Sequence, residues 1–213
     1  AIPSTVTKIG NKSFYNCTGL TTLTISTGTT KLEIGEAAFR NTAIKSLAIP
    51  ARVTSIGYRC FRGNSALQSV KISDGLSELG AEAFYDCTSL KTLQLPSTIT
   101  AIYTGTFCNC SSLTSLTIPS GVTKIEGGSY SSGAFEGCKA LTSVTLPNSL
   151  TYIGVKAFIE CTSLTSVTIP SSVTVIEERA FANCTSLTKI NIPRSVTTIG
   201  YRILYGSNNV TIY

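Results

Sequence analysis

Histidine, tryptophan and methionine are all missing from this 213-residue chain. Without histidine there is no Ser-His-Asp or Cys-His nucleophile, and no zinc site with imidazole ligands. Charge is scarce as well: 13% of residues are Asp, Glu, Lys or Arg, so Ser and Thr must cover much of the exterior. No run approaches the ~18 consecutive apolar residues of a membrane-spanning helix, and no signal peptide stands at the start. The few carboxylates include Glu177-Glu178, adjacent in sequence rather than facing across a cleft. No glycine-rich phosphate loop follows a strand and opens a helix. These absences point away from an enzyme, and no cofactor is expected.

What is present is ordered by a repeat. All eight Phe (14, 39, 61, 84, 107, 135, 158 and 181) fall in one column, and Leu204 takes the same place one period further on. The seven Pro (3, 50, 96, 119, 147, 170 and 193) form a second column upstream of it. A fixed period near 23 marks a solenoid, an array in which each turn touches only its neighbours. The unit reads Leu-x-x-Val-x-Ile-Pro, then x-x-Val-x-x-Ile, then Ala-Phe-x-x-Cys, and 158–181 is a clean copy. Alternation at Val167-Thr168-Ile169 predicts a short half-buried strand. Pro170 lacks an amide hydrogen and ends the pairing there. Val173 to Ile176 predicts a second short strand. The Ala-Phe-x-x-Cys piece is too short for a stable α-helix and should be a tight or 3₁₀ turn. Stacking about nine turns makes one continuous core.

Six of the eight cysteines (17, 87, 110, 138, 161 and 184) stand three residues after the repeat Phe. That column is expected to be a stack of buried thiols behaving as small hydrophobes. Side chains stacked in parallel disfavour disulfides, even where neighbouring turns come within bridging distance. Cys108-Asn109-Cys110 is a close pair with no second pair at zinc-finger spacing, so no metal is expected there. Departures from the unit mark places of possible contact. Two extra residues lie between Ile25 and Leu32, one is missing near Asn41, and 126–133 is five residues longer than its counterparts. The composition of that insertion nominates Gly127, Gly128, Ser129, Tyr130 and Ser131 as a candidate contact loop, beside the plainer reading of a tolerated surface insertion.

Charge is uneven. Residues 1–71 hold nine Lys and Arg against Glu33 and Glu36, a net +7, whereas the remainder sums to −1. Arg40 and Arg62 share a column on adjacent turns. With Lys45, Arg52 and Arg59 they form a candidate site for an anionic ligand, the alternative being a solvated basic face. A second basic column is Lys156, Arg179 and Arg202. The outward positions of the first strands are mostly Thr and Ser, with no Trp, Tyr or Arg before Tyr213, and so lack the residues that dominate protein hot spots. Nucleic acid is not expected, because aromatic stacking partners are not interleaved with the basic residues.

The wording Leu-Thr-Ser-Val-Thr-Ile-Pro, Val-Thr-x-Ile and Ala-Phe-x-x-Cys-x-Ser-Leu resembles the BspA-like subclass of leucine-rich repeats over the whole chain. In 141–158, 164–181 and 187–204 the match is nearly position for position. The resemblance implies a mainly β, right-handed solenoid over residues 1–213, with a parallel concave sheet, short second strands and no long helices. It also implies a surface or secreted protein that adheres to a host extracellular-matrix or cell-surface protein, or to an anionic glycan. No membrane insertion is expected, and the family brings no catalytic residue with it. The chain opens on Ile2-Pro3, the tail of a strand, and closes on Val210 to Tyr213, the start of another, so both ends read as cut. Open ends invite end-to-end self-association, and a structural spacer is the alternative role.

Overall fold

The structure is a computed structural model that describes residues 1–128 and 131–213. Its strands are short because each turn carries only two brief runs of alternating β-branched residues. In chain order they are β1 (Lys8–Ile9), β2 (Leu32–Ile34), β3 (Ser46–Ile49), β4 (Val53–Ile56), β5 (Ser69–Ile72) and β6 (Glu78–Leu79). Then come β7 (Thr92–Gln94), β8 (Ala101–Ile102), β9 (Ser115–Thr117), β10 (Lys124–Ile125), β11 (Ser143–Thr145) and β12 (Tyr152–Ile153). The last are β13 (Ser166–Thr168), β14 (Val175–Ile176), β15 (Lys189–Asn191), β16 (Thr198–Ile199) and β17 (Thr211–Ile212). Strands before the proline column make the concave sheet, and those after it make a second sheet. Every pairing is parallel, and residues face their own repeat equivalents, as in Val167↔Ile190 and Ile153↔Ile176, except at Leu32↔Val53, where the register shifts beside the first insertion. We number the turns 1 to 9 by the residues that close them, Phe14 through Phe181 and then Leu204.

The Phe column runs down the centre of the core. Seven successive ring pairs from Phe14 to Phe181 stack at 5.0–5.6 Å between centroids, with planes 2–9° apart. From Phe39 to Phe181 the rings are fully buried. Around each lies an arch of main chain bonded to the next turn in one direction only. Arg59, Phe61 and Gly63 donate their N–H groups to the carbonyls of Ala81, Ala83 and Tyr85 at 3.0, 2.8 and 2.8 Å. The same triplet recurs at Lys12, Phe14 and Asn16, and at Arg179, Phe181 and Asn183. The intervening N–H groups close local i→i+3 turns, as from Arg62 to Arg59. These are 3₁₀-type bonds, but left-handed residues two before and two after the Phe stop them running on into a helix; Arg59 (φ 56°) and Gly63 (φ 74°) are one such pair. Gly57 shows how close the turns lie: a Cβ there would meet Glu36 N and Gly35 C at 2.7 Å.

Polar side chains complete this pattern. The cysteine column is indeed buried from Cys87 onward, but its thiols are also donors. Cys87, Cys110, Cys138, Cys161 and Cys184 each direct Sγ to the carbonyl of the Phe one turn earlier, at 3.2–3.4 Å. Asn64 and Ser207, in the same column, make the equivalent bond to Phe39 and Phe181. Cys17 is exposed and is the exception. Hydroxyls do likewise on the exterior. The Oγ1 atoms of Thr123, Thr151, Thr174 and Thr197 each donate to the carbonyl of the preceding member of their column, at 3.1–3.3 Å. Part of the Ser and Thr content therefore serves turn-to-turn cohesion.

Both sheets are interrupted, and the interruptions follow a residue rule. The concave sheet divides into β3-β5-β7, β9-β11 and β13-β15-β17, and the second sheet into β1-β2-β4-β6 and β8 through β16. Each of these breaks follows a turn in which leucine stands where the other turns have isoleucine: Leu95 before β9, Leu146 before β13 and Leu79 before β8. Isoleucine branches at Cβ, which stiffens χ1 and favours extended backbone; leucine does not. A further gap precedes β3, beside the two-residue insertion, where Ile2↔Ile25 is the lone bridge. Leu79→Ile is expected to join β6 to β8, which amide hydrogen exchange reads as added protection at 101–103. Unchanged exchange would remove leucine as the cause.

Candidate functional site

On turns 1 to 4 the arch carries the aromatic and guanidinium side chains that the concave sheet lacks. Left-handed backbone at Arg59 and Glu82 (φ 56° and 54°) swings both side chains onto the outer surface of the arch. Arg62 stacks over the Tyr85 ring at 4.1 Å, Arg59 over Tyr58 at 4.4 Å and Arg40 over Tyr15 at 5.6 Å. Glu82 binds the centre together. It accepts from Arg59 Nε and Nη2 at 2.9 and 3.3 Å, from Tyr58 Oη at 3.1 Å, and from Arg62 Nη1. Burial would raise the pKa of this carboxyl, but the hydrogen bonds and charge of Arg59, with the charge of Arg62, hold it below its ordinary value. Burial and the same carboxylate push the Tyr58 hydroxyl up. The arrangement is a pre-ordered Tyr–Arg surface, partly exposed and partly neutralised from within.

Of the five basic residues predicted to form one site, the structure brings Arg59 and Arg62 together on Glu82, while Arg40 stands one turn earlier in the column of Arg62, over Tyr15. Lys45 is exposed beside β3. Arg52, contrary to that expectation, does not belong to a surface site: it is 4% exposed, and its guanidinium donates to four main-chain carbonyls. Nε reaches Ser26 at 2.7 Å, Nη1 reaches Val6 and Thr30 at 2.9 and 3.1 Å, and Nη2 reaches Pro3 at 2.9 Å. From turn 3 it ties the first inserted loop, in turn 2, to turn 1. Sequence reasoning missed Tyr15, Tyr58, Tyr85 and Glu82, although Tyr15 and Tyr85 share the Arg40–Arg62 column and were visible there.

In the insertion, Ser129 and Tyr130 lie outside the described residues. Gly127 and Gly128 are half-buried and Ser131 is exposed. Cβ atoms built at Gly127 and Gly133 would each meet a carbonyl oxygen of turn 7, of Val155 and Lys156, at 1.8 Å, so both feet of the loop are pressed against that turn. Among the described residues no group of three or more Cys, Asp or Glu is placed to hold a metal ion, and no helix is long and apolar enough to cross a membrane. Burial pushes the Cys108 thiol up to about 11 and the Cys184 thiol to about 12.

The model for the BspA type leucine rich repeat region matches residues 1–33, 32–133 and 129–213, in six copies. The chain belongs to the BspA-type leucine-rich repeat family. Its fold is similar to the leucine rich repeat protein of T. pallidum, at 27% identity and TM-score 0.72 over 78% of each chain. It is also similar to a leucine rich cell surface protein from Faecalibacterium prausnitzii, at 25% identity and TM-score 0.56 over 84% of this chain and 63% of that one. A leucine-rich repeat protein from Eubacterium ventriosum shares the fold, at 22% identity and TM-score 0.55, over 99% of this chain and 64% of that one. Among curated protein sequences none matches.

Two outcomes follow for this BspA-type array. Arg52→Ala takes a donor from four carbonyls, of which Pro3's alone keeps another, the Val6 N–H at 3.2 Å, and is expected to lose about 2–4 kcal/mol, with turns 1 and 2 exchanging their amide hydrogens first. Glu82 has its folded pKa depressed, so its contribution is complete above the unfolded value and is lost as pH falls through the folded one. The difference in melting temperature between the native chain and Glu82→Gln is therefore full at neutral pH and closes on acidification below about pH 4.

Proposed function

We propose that this chain is a non-enzymatic binding or adhesion module, displayed on a cell surface or secreted, that engages a protein partner through the Tyr–Arg arch of turns 1 to 4. The composition and setting of that cluster carry the reading. Tyrosine and arginine are the side chains on which protein interfaces concentrate their binding energy. Here three guanidinium groups are already stacked on rings before any partner arrives, which lowers the ordering cost of association. The description of the F. prausnitzii relative as a cell surface protein supports the location.

A host matrix or cell-surface protein suits the arch better than a sulfated glycan. Glu82 already takes up bonds from Arg59 and Arg62, and the charge left over is small for a polyanion held by ion pairing alone. Solid-phase binding to a panel of matrix proteins and to heparin separates the two. Saturable binding to a protein is expected, reduced at least tenfold by Tyr58→Ala with Arg62→Ala and untouched by Ser166→Ala on the concave sheet. Retention on heparin alone, shifted by neutralising Arg40, Arg59 and Arg62, would replace the protein partner with an anionic glycan. Binding indifferent to all of these variants overturns the arch as the contact face.

A further inference from the structure

Two of the leucine-marked breaks open onto the concave face. Between β7 and β9 lies a groove of about 400 Å³, and between β11 and β13 one of about 370 Å³. The residues beneath are less covered than their equivalents. Leu93 and Val144 are half-buried, whereas Leu47, Val70, Leu116 and Val167 in the same column are 3–4% exposed. Leu95 is half-buried as well, in a column whose isoleucines at 49, 72, 118 and 169 are buried. No main-chain hydrogen bond joins β7 to β9 or β11 to β13 among the described residues, so peptide groups along each break are left for water or a ligand.

The two grooves have matching chemistry. The first has an apolar floor of Leu93 and Leu95, the carboxamide of Gln94, and hydroxyls of Ser97, Ser115 and Thr117. The second has Val144 and Leu146, the carboxamide of Asn148, and hydroxyls of Ser143, Ser166 and Thr168. Neither contains a charged side chain. The neighbouring hollow over β3, β5 and β7 differs on both counts, since it carries Lys71 and overlies a paired sheet. The grooves recur two turns apart, about 10 Å at ~4.8 Å per strand.

We propose that these grooves are two subsites for one neutral glycan chain laid along the concave face of turns 5 to 8. A pyranose offers an apolar C–H face and a rim of hydroxyls. The floor of each groove matches the first, and its amide and hydroxyl groups match the second. A charged ligand finds no ion pair in either subsite, and an apolar peptide would leave the rim unsatisfied. The site is separate from the arch and stands whether or not the arch binds protein.

Saturation-transfer NMR and calorimetry with gluco-, manno- and galacto-configured neutral hexaoses test it, beside a sulfated hexaose. One neutral hexaose is expected to bind and the sulfated one to bind no better. Leu95→Ile with Leu146→Ile restores the residue found in the unbroken turns and is expected to close both grooves, lowering affinity at least tenfold without lowering the melting temperature. Gln94→Ala with Asn148→Ala removes only the carboxamides and is expected to weaken binding to a similar degree. Absence of binding by every neutral hexaose at millimolar concentration overturns the proposal. So does undiminished affinity in either double variant, or a preference for the sulfated probe.

Discussion

The structure depends on keeping register between turns. Each turn is too small to bury its own apolar side chains, and its main chain leaves donors and acceptors that only a neighbour can satisfy. Three N–H groups of every complete arch therefore reach the next turn, while cysteine thiols and threonine hydroxyls reach back to the one before. The Phe stack adds apolar contact along the same axis, and its spacing of 5.0–5.6 Å follows from the strand spacing. A side chain that weakens registration at one point, as leucine does in the isoleucine columns, leaves the coil whole but opens a local gap. The arch bonds and the ring stack continue across each such gap.

That tolerance separates scaffold from contact. Where the unit is followed closely, the concave face shows Ser and Thr. Where it is not, chemistry gathers: tyrosine and arginine on the early arches, and amide-rimmed grooves at the breaks. The two faces differ in character. The arch is charged, aromatic and held together by Glu82, whereas the grooves are uncharged.

Much of the fold was legible because the code repeats. Phe and Pro columns give the period, Val-x-Ile the strands, and the Asn, Gly or Asp two after every Phe but Phe158, which has Glu160, betrays a left-handed position. The matching position two before the Phe holds Gly only at 105 and 133; Lys12, Ala37, Arg59, Glu82, Lys156 and Arg179 carry no such signal, so the arch geometry stayed hidden. The cysteines looked purely apolar, yet Thr42, Asn64 and Ser207 in their column share only the ability to donate a hydrogen bond, and that clue was available. Arg52 was not legible at all. Its four acceptors lie 22 to 49 residues away, some on an inserted loop whose path no local pattern describes. The grooves lay behind a substitution between two apolar residues that hydrophobicity alone does not distinguish.

The one-way bonding of the arches also gives the coil an electrical sense. In each arch the bonded amide hydrogens face the later turns and the bonded oxygens face the earlier ones, so their peptide dipoles add along the axis instead of cancelling as they do in an ordinary sheet. The early turns lie toward the negative pole. They are also where the chain holds its surplus of Lys and Arg, +7 over residues 1–71 against −1 over the remainder. Backbone and side chains are thus arranged in opposite senses, much as cations gather at the carbonyl end of an α-helix, although this protein contains no helix among its described residues.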